Sequence, residues 1–275
     1  MVNMVSRQAV KTPKSETVTQ KEKEEVQHFW DDVPCGTGSI FYPEGSLEYF
    51  EAIAKNRNQL EPFIADYVQF KKWTGKKILE VGCGAGTDLV QFAVAGARTV
   101  GIDLSPHSAS IARARLHTYN CQGNVLIADA ENLPFKGEEF ELIYSWGVLH
   151  HTPNPEKAIH EIYRVTKPGG EICVMLYHRY SLVALQLYLL YGLLAFKPFR
   201  SLKDILARHL ESPGTKAYSV SEVRQMFSAF QRLEVKIRLT PYDLRYRRDK
   251  YFPKWVRTLV PERLGWFLVI RGQKL

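Results

Sequence analysis

The sequence predicts an α/β chain built on a parallel, doubly wound sheet, and three observations predict it. Residues 77–81 are mostly apolar and read as a buried strand that runs at once into glycines. An apolar run at helical spacing, Leu89, Val90, Phe92 and Ala93, follows those glycines. Further short strands then alternate with helical segments, the pattern of a sheet covered by helices on both faces.

The loop between that strand and helix carries the first chemistry. Gly82, Gly84 and Gly86 stand at alternate positions. Glycines let the backbone turn sharply and approach a ligand closely. The helix behind them presents free N–H groups and a partial positive charge. A dinucleotide fingerprint, Gly-x-Gly-x-x-Gly, is one residue longer, and no Lys-Ser/Thr pair follows to make a phosphate loop. An acid, Glu80, stands two residues before the first glycine. Strand, acid and alternate glycines together resemble the class I S-adenosylmethionine-dependent methyltransferases. The resemblance implies a Rossmann-like, seven-stranded sheet with its last strand antiparallel. It also implies S-adenosylmethionine as cofactor and methyl transfer as the reaction.

Composition bounds the rest. The 275 residues suit one α/β domain with additions, and 45% hydrophobic residues allow a sizeable core. Cys35, Cys83, Cys121 and Cys173 are widely spaced with no Cys-x-x-Cys pair, which disfavours a structural zinc site. Free thiols in a reducing compartment are the simplest reading, and no apolar secretory signal opens the chain. A cytoplasmic protein, soluble or peripheral at a membrane, is the expectation. The net charge is +8. Residues 236–275 hold eleven Lys/Arg against three Asp/Glu, which is the whole excess. Nucleic acid, an anionic membrane surface or an acidic substrate would use such a region, and a solvated face would equally produce it.

In chain order, residues 1–25 are polar and read as a disordered arm with helix from Gln20. One domain, 26–275, follows, opening with cap helices over 26–73. Ser46 is the N-cap of one of these, and Pro62 sits in the first turn of the next. In the family such helices cover the cofactor and shape the substrate pocket, which makes Trp30, Phe41 and Tyr42 candidates for the substrate wall. The second strand, 99–104, ends near Asp103, 21 positions after Gly82. An acid at that spacing suits hydrogen bonds from ribose hydroxyls. Ser105 caps the next helix, with Pro106 at its start. The third strand, 124–130, ends in Asp129-Ala130. By resemblance Asp129 meets the adenine amino group and Ala130 lets the ring approach. The cofactor set implied is Glu80, Gly82, Gly84, Gly86, Asp103, Leu104, Asp129, Ala130 and Trp146.

The fourth strand, 140–145, leads into Trp146-Gly147-Val148-Leu149-His150-His151. Asn154-Pro155-Glu156 opens a helix that ends at Lys167-Pro168-Gly169-Gly170, and a fifth strand runs from 171 to 177. These elements resemble the small-molecule branch with quinone-ring and sterol C-methyltransferases. A small acceptor is therefore expected, methylated at carbon or oxygen, with a small thiol as the alternative. His150 and His151 lie past one strand end, and Tyr177 and His178 past its neighbour, where ligands collect in such sheets. Histidine accepts protons near neutral pH, so these four are the candidate catalytic residues. Holding the loop is the alternative role of the histidines. Tyr144 or Trp146 would place a ring near the cationic sulfur, or would simply pack the wall.

A nucleic-acid methyltransferase is the competing enzyme. Base-amine methylation shows Asp/Asn-Pro-Pro-Tyr after the fourth strand, where this chain has Ser145-Trp146-Gly147-Val148. A non-catalytic cofactor-binding protein is the other alternative. Later, Ser219 and Glu222 form a capping-box pattern. Residues 233–239 alternate as a half-exposed strand, and 265–270 read as the last strand. A helical insertion occupies about 181–212. Its first 16 residues, 181–196, carry no charge and fall short of the roughly 20 a membrane span needs. They are expected as a lid helix, one face on the pocket. The other face would meet a lipid surface or a second subunit, with Arg245-Tyr246-Arg247-Arg248 supplying positive charge. No metal is expected.

Overall fold

The computed structural model describes residues 16–247 and 250–275. Three helices precede the sheet: α1 (Glu16–Asp32), α2 (Leu47–Leu60) and α3 (Ile64–Val68), the last followed by a 3-10 turn, Phe70–Trp73. Helix α1 thus begins inside the stretch read as an arm, whose first 15 residues lie outside the described ones. Then come β1 (Lys77–Val81), α4 (Thr87–Val94), β2 (Arg98–Asp103), α5 (Pro106–Thr118), β3 (Asn124–Ile127) and β4 (Phe140–Trp146). Helix α6 (Pro155–Val165) and β5 (Thr166–Tyr177) complete the parallel part.

The insertion holds α7 (Leu182–Tyr188) and α8 (Leu202–His209). After it come α9 (Val220–Met226), β6 (Gln231–Arg238), β7 (Arg245–Arg247), β8 (Lys250–Tyr251), α10 (Lys254–Thr258) and β9 (Phe267–Gln273). The main sheet has seven strands in the order β3-β2-β1-β4-β5-β9-β6. Strand β9 runs antiparallel to both β5 and β6, as the sequence resemblance implies. Strands β7 and β8 form a separate hairpin.

Two core layers flank the sheet, and strand alternation assigns residues to them. On β5, Ile172, Val174 and Leu176 face one layer, while Cys173, Met175 and Tyr177 face the other. On β9, Leu268 and Ile270 oppose Phe267 and Val269 in the same way. Burial on both faces explains why these strands read as unbroken apolar runs. Truncating one such side chain to alanine typically costs about 2–5 kcal/mol. Regular pairing of β5 begins only at Glu171, because the Pro168-Gly169-Gly170 stretch shifts the register.

The caps expected from sequence are made. Ser46, Ser105, Asn154 and Ser219 each accept a backbone N–H from the first turn of their helix. At Ser219 the capping box closes, with Glu222 accepting from the Ser219 N–H at 2.8 Å. Loss of such a cap costs about 1 kcal/mol. The charge-free run is not one continuous helix. Helix α7 ends at Tyr188, and a π-turn follows over Leu189–Leu193. All four cysteines are free thiols.

Candidate active site

Strand order reverses between β1 and β4, and a crevice opens there at the carboxyl ends of the strands. A cavity of about 790 Å³ occupies it, a volume typical of small-molecule sites. Gly82, Gly84, Glu80, Asp103, Leu104, Asp129, Ala130 and Trp146 all line it. Gly86 does not; it caps α4 with φ 71° and packs on Ala112. Gly82 has φ 74°, and a Cβ there would lie 2.6 Å from Val148 Cγ1. Only glycine fits both that conformation and that approach.

The strand-end acids are held by backbone. Asp103 Oδ2 accepts from the Gly84 N–H at 2.8 Å, and Oδ1 accepts from the Ser105 N–H at 2.9 Å. Each oxygen keeps a further lone pair for a ligand donor. Burial raises the Asp103 carboxyl above the usual value, against the lowering effect of those N–H donors. Asp129 Oδ1 accepts from the Glu131 N–H at 2.8 Å, while its Oδ2 takes Lys23 Nζ at 2.6 Å. Lys23 reaches there from α1 and also pairs with the buried Glu131 at 2.8 Å. Its carbon stem and the neighbouring Val26 and Trp30 make α1 a wall of the cavity.

A second charged group was not found from sequence. Arg57, on α2, donates to Asp88 at 2.6 Å and to Glu61 at 3.1 Å. Asp88 also accepts from Tyr144 Oη at 2.7 Å, and Glu61 accepts from Trp146 Nε1 at 2.5 Å. Trp146 is thereby fixed by its ring nitrogen, with Tyr144 stacked on it at 5.7 Å. Burial, then the carboxylate of Asp88, push the Glu80 carboxyl well above the ordinary range. The only sequence signal was the Arg57–Glu61 spacing of four on one helix, which surface pairs share.

The candidate catalytic residues divide. His151 and Tyr177 line the cavity; His150 and His178 do not. His150 is fully buried, its ring 3.7 Å from Tyr177, and neither ring nitrogen has a hydrogen-bond partner. Burial, with His151 adding to it, holds His150 well below the usual histidine value, so it stays neutral. His178 is buried beside the sheet, Nδ1 3.0 Å from the Gly265 carbonyl. His151 Nδ1 lies 2.8 Å from Ser212 Oγ and 3.0 Å from Thr215 Oγ1. Its Nε2 faces Glu211 Oε2 at 3.4 Å. Tyr177 Oη donates to the same oxygen at 2.8 Å. Burial, and then the Glu211 charge, keep that phenol protonated far above its ordinary range. Trp30 stands edge-on to His151 at 5.2 Å, whereas Tyr42 is exposed and away from the cavity, as is Phe41.

The lining fits S-adenosylmethionine by its unmatched polar atoms. Buried Glu80 Oε2 and buried Arg57 Nε both lack a partner. One suits an α-ammonium and the other an α-carboxylate, the two charges of an amino-acid end. Asp103 and Asp129 add carboxylate acceptors to the same lining. The open glycine loop between them admits the connecting atoms.

Residues 79–174 match the family described as "Methyltransferase domain". A ubiquinone biosynthesis O-methyltransferase from Azoarcus sp. (strain BH72) is 35% identical over 99 residues, covering 36% of this chain and 42% of that protein. A sterol 4-C-methyltransferase from Caenorhabditis elegans is 32% identical over 98 residues, 35% of this chain and 29% of that protein. The chain thus matches less than half the length of either relative. An S-adenosylmethionine-dependent methyltransferase structure from Thermotoga maritima superposes over 91% of this chain and all of its own, with a TM-score of 0.53 and 21% identity. At that identity the likeness is one of fold.

Proposed function

From a chain that carries a class I S-adenosylmethionine-dependent methyltransferase domain, we propose an enzyme that methylates a small, largely apolar acceptor at oxygen or carbon. The carrying observation is the mixed lining of the cavity. It presents Glu80, Asp103, Asp129 and Arg57 together with Leu187, Leu190, Tyr191, Tyr242, Trp266 and Phe267. The bound cofactor supplies an electrophilic methyl on a cationic sulfur. The chain supplies placement: alignment at roughly 3–3.5 Å can lower the barrier by about 7–11 kcal/mol. Trp146, locked by Glu61, forms a rigid wall beside the glycine loop. Glu211, with His151 and Tyr177 beside it, is the group that would take a proton from the acceptor.

The insertion supports an apolar acceptor delivered from a lipid surface. Among the described residues no helix is long and apolar enough to cross a membrane. Yet Phe196 is 93% and Phe199 100% exposed, with Leu193 and Leu194 beside them. Val183, Leu187 and Leu190 of the same segment line the cavity. Tyr246 joins them there, and Trp255 and Leu259 of the adjoining C-terminal region are also exposed. Lys197, Arg245, Lys250 and Arg257 are sequence neighbours of these residues, and each basic group near an anionic surface adds about 1 kcal/mol. Arg248 of the basic cluster lies outside the described residues. A second copy of the chain is the competing cover for Phe196 and Phe199.

Two measurements test this reading. Calorimetry should find S-adenosylmethionine binding that falls about 10–100-fold in Asp103→Ala, the loss of charged hydrogen bonds worth roughly 1.5–3 kcal/mol. Equal affinity in the folded variant would remove Asp103 from the site. In flotation with anionic and neutral liposomes, the wild type should rise with anionic vesicles and Phe196→Glu/Phe199→Glu should stay behind. A dimer in solution that the double variant dissociates, with no flotation, would replace the lipid surface by a second subunit.

A further inference from the structure

The histidine expected from sequence to meet the acceptor is turned toward polar side chains of the insertion. His151 Nδ1 is engaged by Ser212 and Thr215. Thr215 Oγ1 donates to the Ser212 carbonyl at 2.6 Å, so toward Nδ1 it can only accept, while the Ser212 hydroxyl can either donate or accept. The buried Nε2 faces Glu211 Oε2 at 3.4 Å, without a direct hydrogen bond. Tyr177 donates into the same carboxylate oxygen. Both groups therefore stand behind Oε2 of Glu211. The other oxygen, Oε1, takes no hydrogen bond from the described residues, and the side chain is 47% exposed within the cavity lining. Burial opposes its charge, but the neighbouring His151 and Tyr177 outweigh burial and hold the Glu211 carboxyl below its usual range, so it presents a charged acceptor.

The cavity that Glu211 lines also carries apolar and aromatic side chains, among them Leu210, Tyr242, Trp266 and Leu187, and Arg245 lines it too. A carboxylate that accepts from Tyr177 and faces His151 through one oxygen, with the other open to such a cavity, matches one kind of ligand group. We propose that Glu211 is the specificity-determining residue of the acceptor site, and that its Oε1 accepts a hydrogen bond from a hydroxyl on an otherwise apolar acceptor. The proposal rests on the methyltransferase reading of the cavity. A hydroxyl is preferred to an ammonium because Arg245 lies close enough to Glu211 to help lower its carboxyl, and would repel a second cation. A cavity that hydrogen-bonds a hydroxyl discriminates strongly against a ligand lacking one, since that ligand displaces water from the carboxylate and gives no hydrogen bond in return.

The arrangement also explains why the insertion matters to the chemistry. Glu211, Ser212 and Thr215 all follow α8, directly after the segment that carries Phe196 and Phe199. One excursion of the chain brings the apolar rim and the polar recognition atom to the same cavity. Tyr177 and His151, contributed by the sheet end and the loop after β4, only complete the group.

The test uses the full chain saturated with S-adenosylhomocysteine and reads quenching of Trp30, Trp146 and Trp266, which line the cavity. The probes are 4-octylcatechol, its dimethyl ether and octylamine. The wild type should bind the catechol at least about tenfold more tightly than the ether, the value of one buried hydrogen bond to a charged group. Glu211→Ala and Glu211→Gln should reduce that preference to about twofold while leaving the ether affinity unchanged. A wild type without preference, a preference intact in both Glu211 variants, or tighter binding of octylamine would each overturn the assignment. Failure of S-adenosylhomocysteine to bind the wild type would instead sink the methyltransferase reading.

Discussion

Lys23 Nζ lies 2.6 Å from Asp129 Oδ2, joining the first helix of the chain to the end of the third strand. The pair closes one wall of the cavity, and Glu131 shares the same ammonium. Burial opposes the charge, but hydrogen bonds to Asp129 and Glu131 outweigh it and raise the Lys23 pKa. The raised value stabilises the fold at pH below the ordinary 10.5, and this contribution is lost as pH rises through the folded value.

Lys23→Met should therefore loosen α1 without unfolding the sheet. The expected cost is about 1–2 kcal/mol, between the exposed and buried cases of broken ion pairs. Hydrogen exchange should speed up in α1 alone, and cofactor exchange should quicken with it. Unchanged protection of α1 would show that Asp31, which accepts from Ser105 Oγ at 2.6 Å, suffices to hold the helix.

Glu80 supplies a pH-dependent prediction. Its folded pKa is raised, so the folded protein holds the proton more tightly than the unfolded chain. That stability is greatest below the unfolded value near 4.5 and declines as pH rises toward the folded one. Glu80→Gln should remove the decline, so its Tm should gain on the wild type as pH increases. Its affinity for S-adenosylmethionine should drop about 10–100-fold, because an ammonium then meets an amide. Wild-type binding should also release a proton above the unfolded value, and the variant should not. Calorimetry in two buffers of different ionisation enthalpy reads this directly.

Gly82→Ala should be severe. A Cβ there would collide with Val148 while the backbone sits at φ 74°. Strain of this kind costs about 1–3 kcal/mol before any repacking. Gly84→Ala is the control: its φ is 51°, but the nearest atom to an added Cβ is Cys35 Cβ at 3.9 Å. Thermal unfolding should rank Gly82→Ala well below Gly84→Ala. Equal Tm values would mean that Val148 moves aside freely.

The inner half of the site was legible in the sequence because its parts are local. A strand, alternate glycines and strand-end acids lie within a few residues of each other, and backbone geometry allows them few arrangements. Glu80, Gly82, Gly84, Asp103 and Asp129 accordingly line one cavity. Capping residues such as Ser105 and Ser219 were readable for the same reason. His150 and His151 were not separable in sequence. They are adjacent and chemically alike, and only the loop after β4 turns one ring into the core and the other to the cavity.

The amino-acid sequence alone therefore determined the strand–loop–helix cradle and the order of elements, since both follow from short-range pattern and backbone sterics, while the class of cofactor came from the resemblance that this cradle carries. The tertiary structure decided what stands across the crevice. Arg57 meets Asp88 from 31 positions away, Lys23 meets Asp129 from 106, and Glu211 meets Tyr177 from 34. It also decided that the charge-free run breaks after Tyr188, where Gly192 lets the chain pack against Ile205 of α8. Such contacts depend on how whole helices settle on the sheet, and that is governed by packing of distant apolar faces rather than by any local pattern.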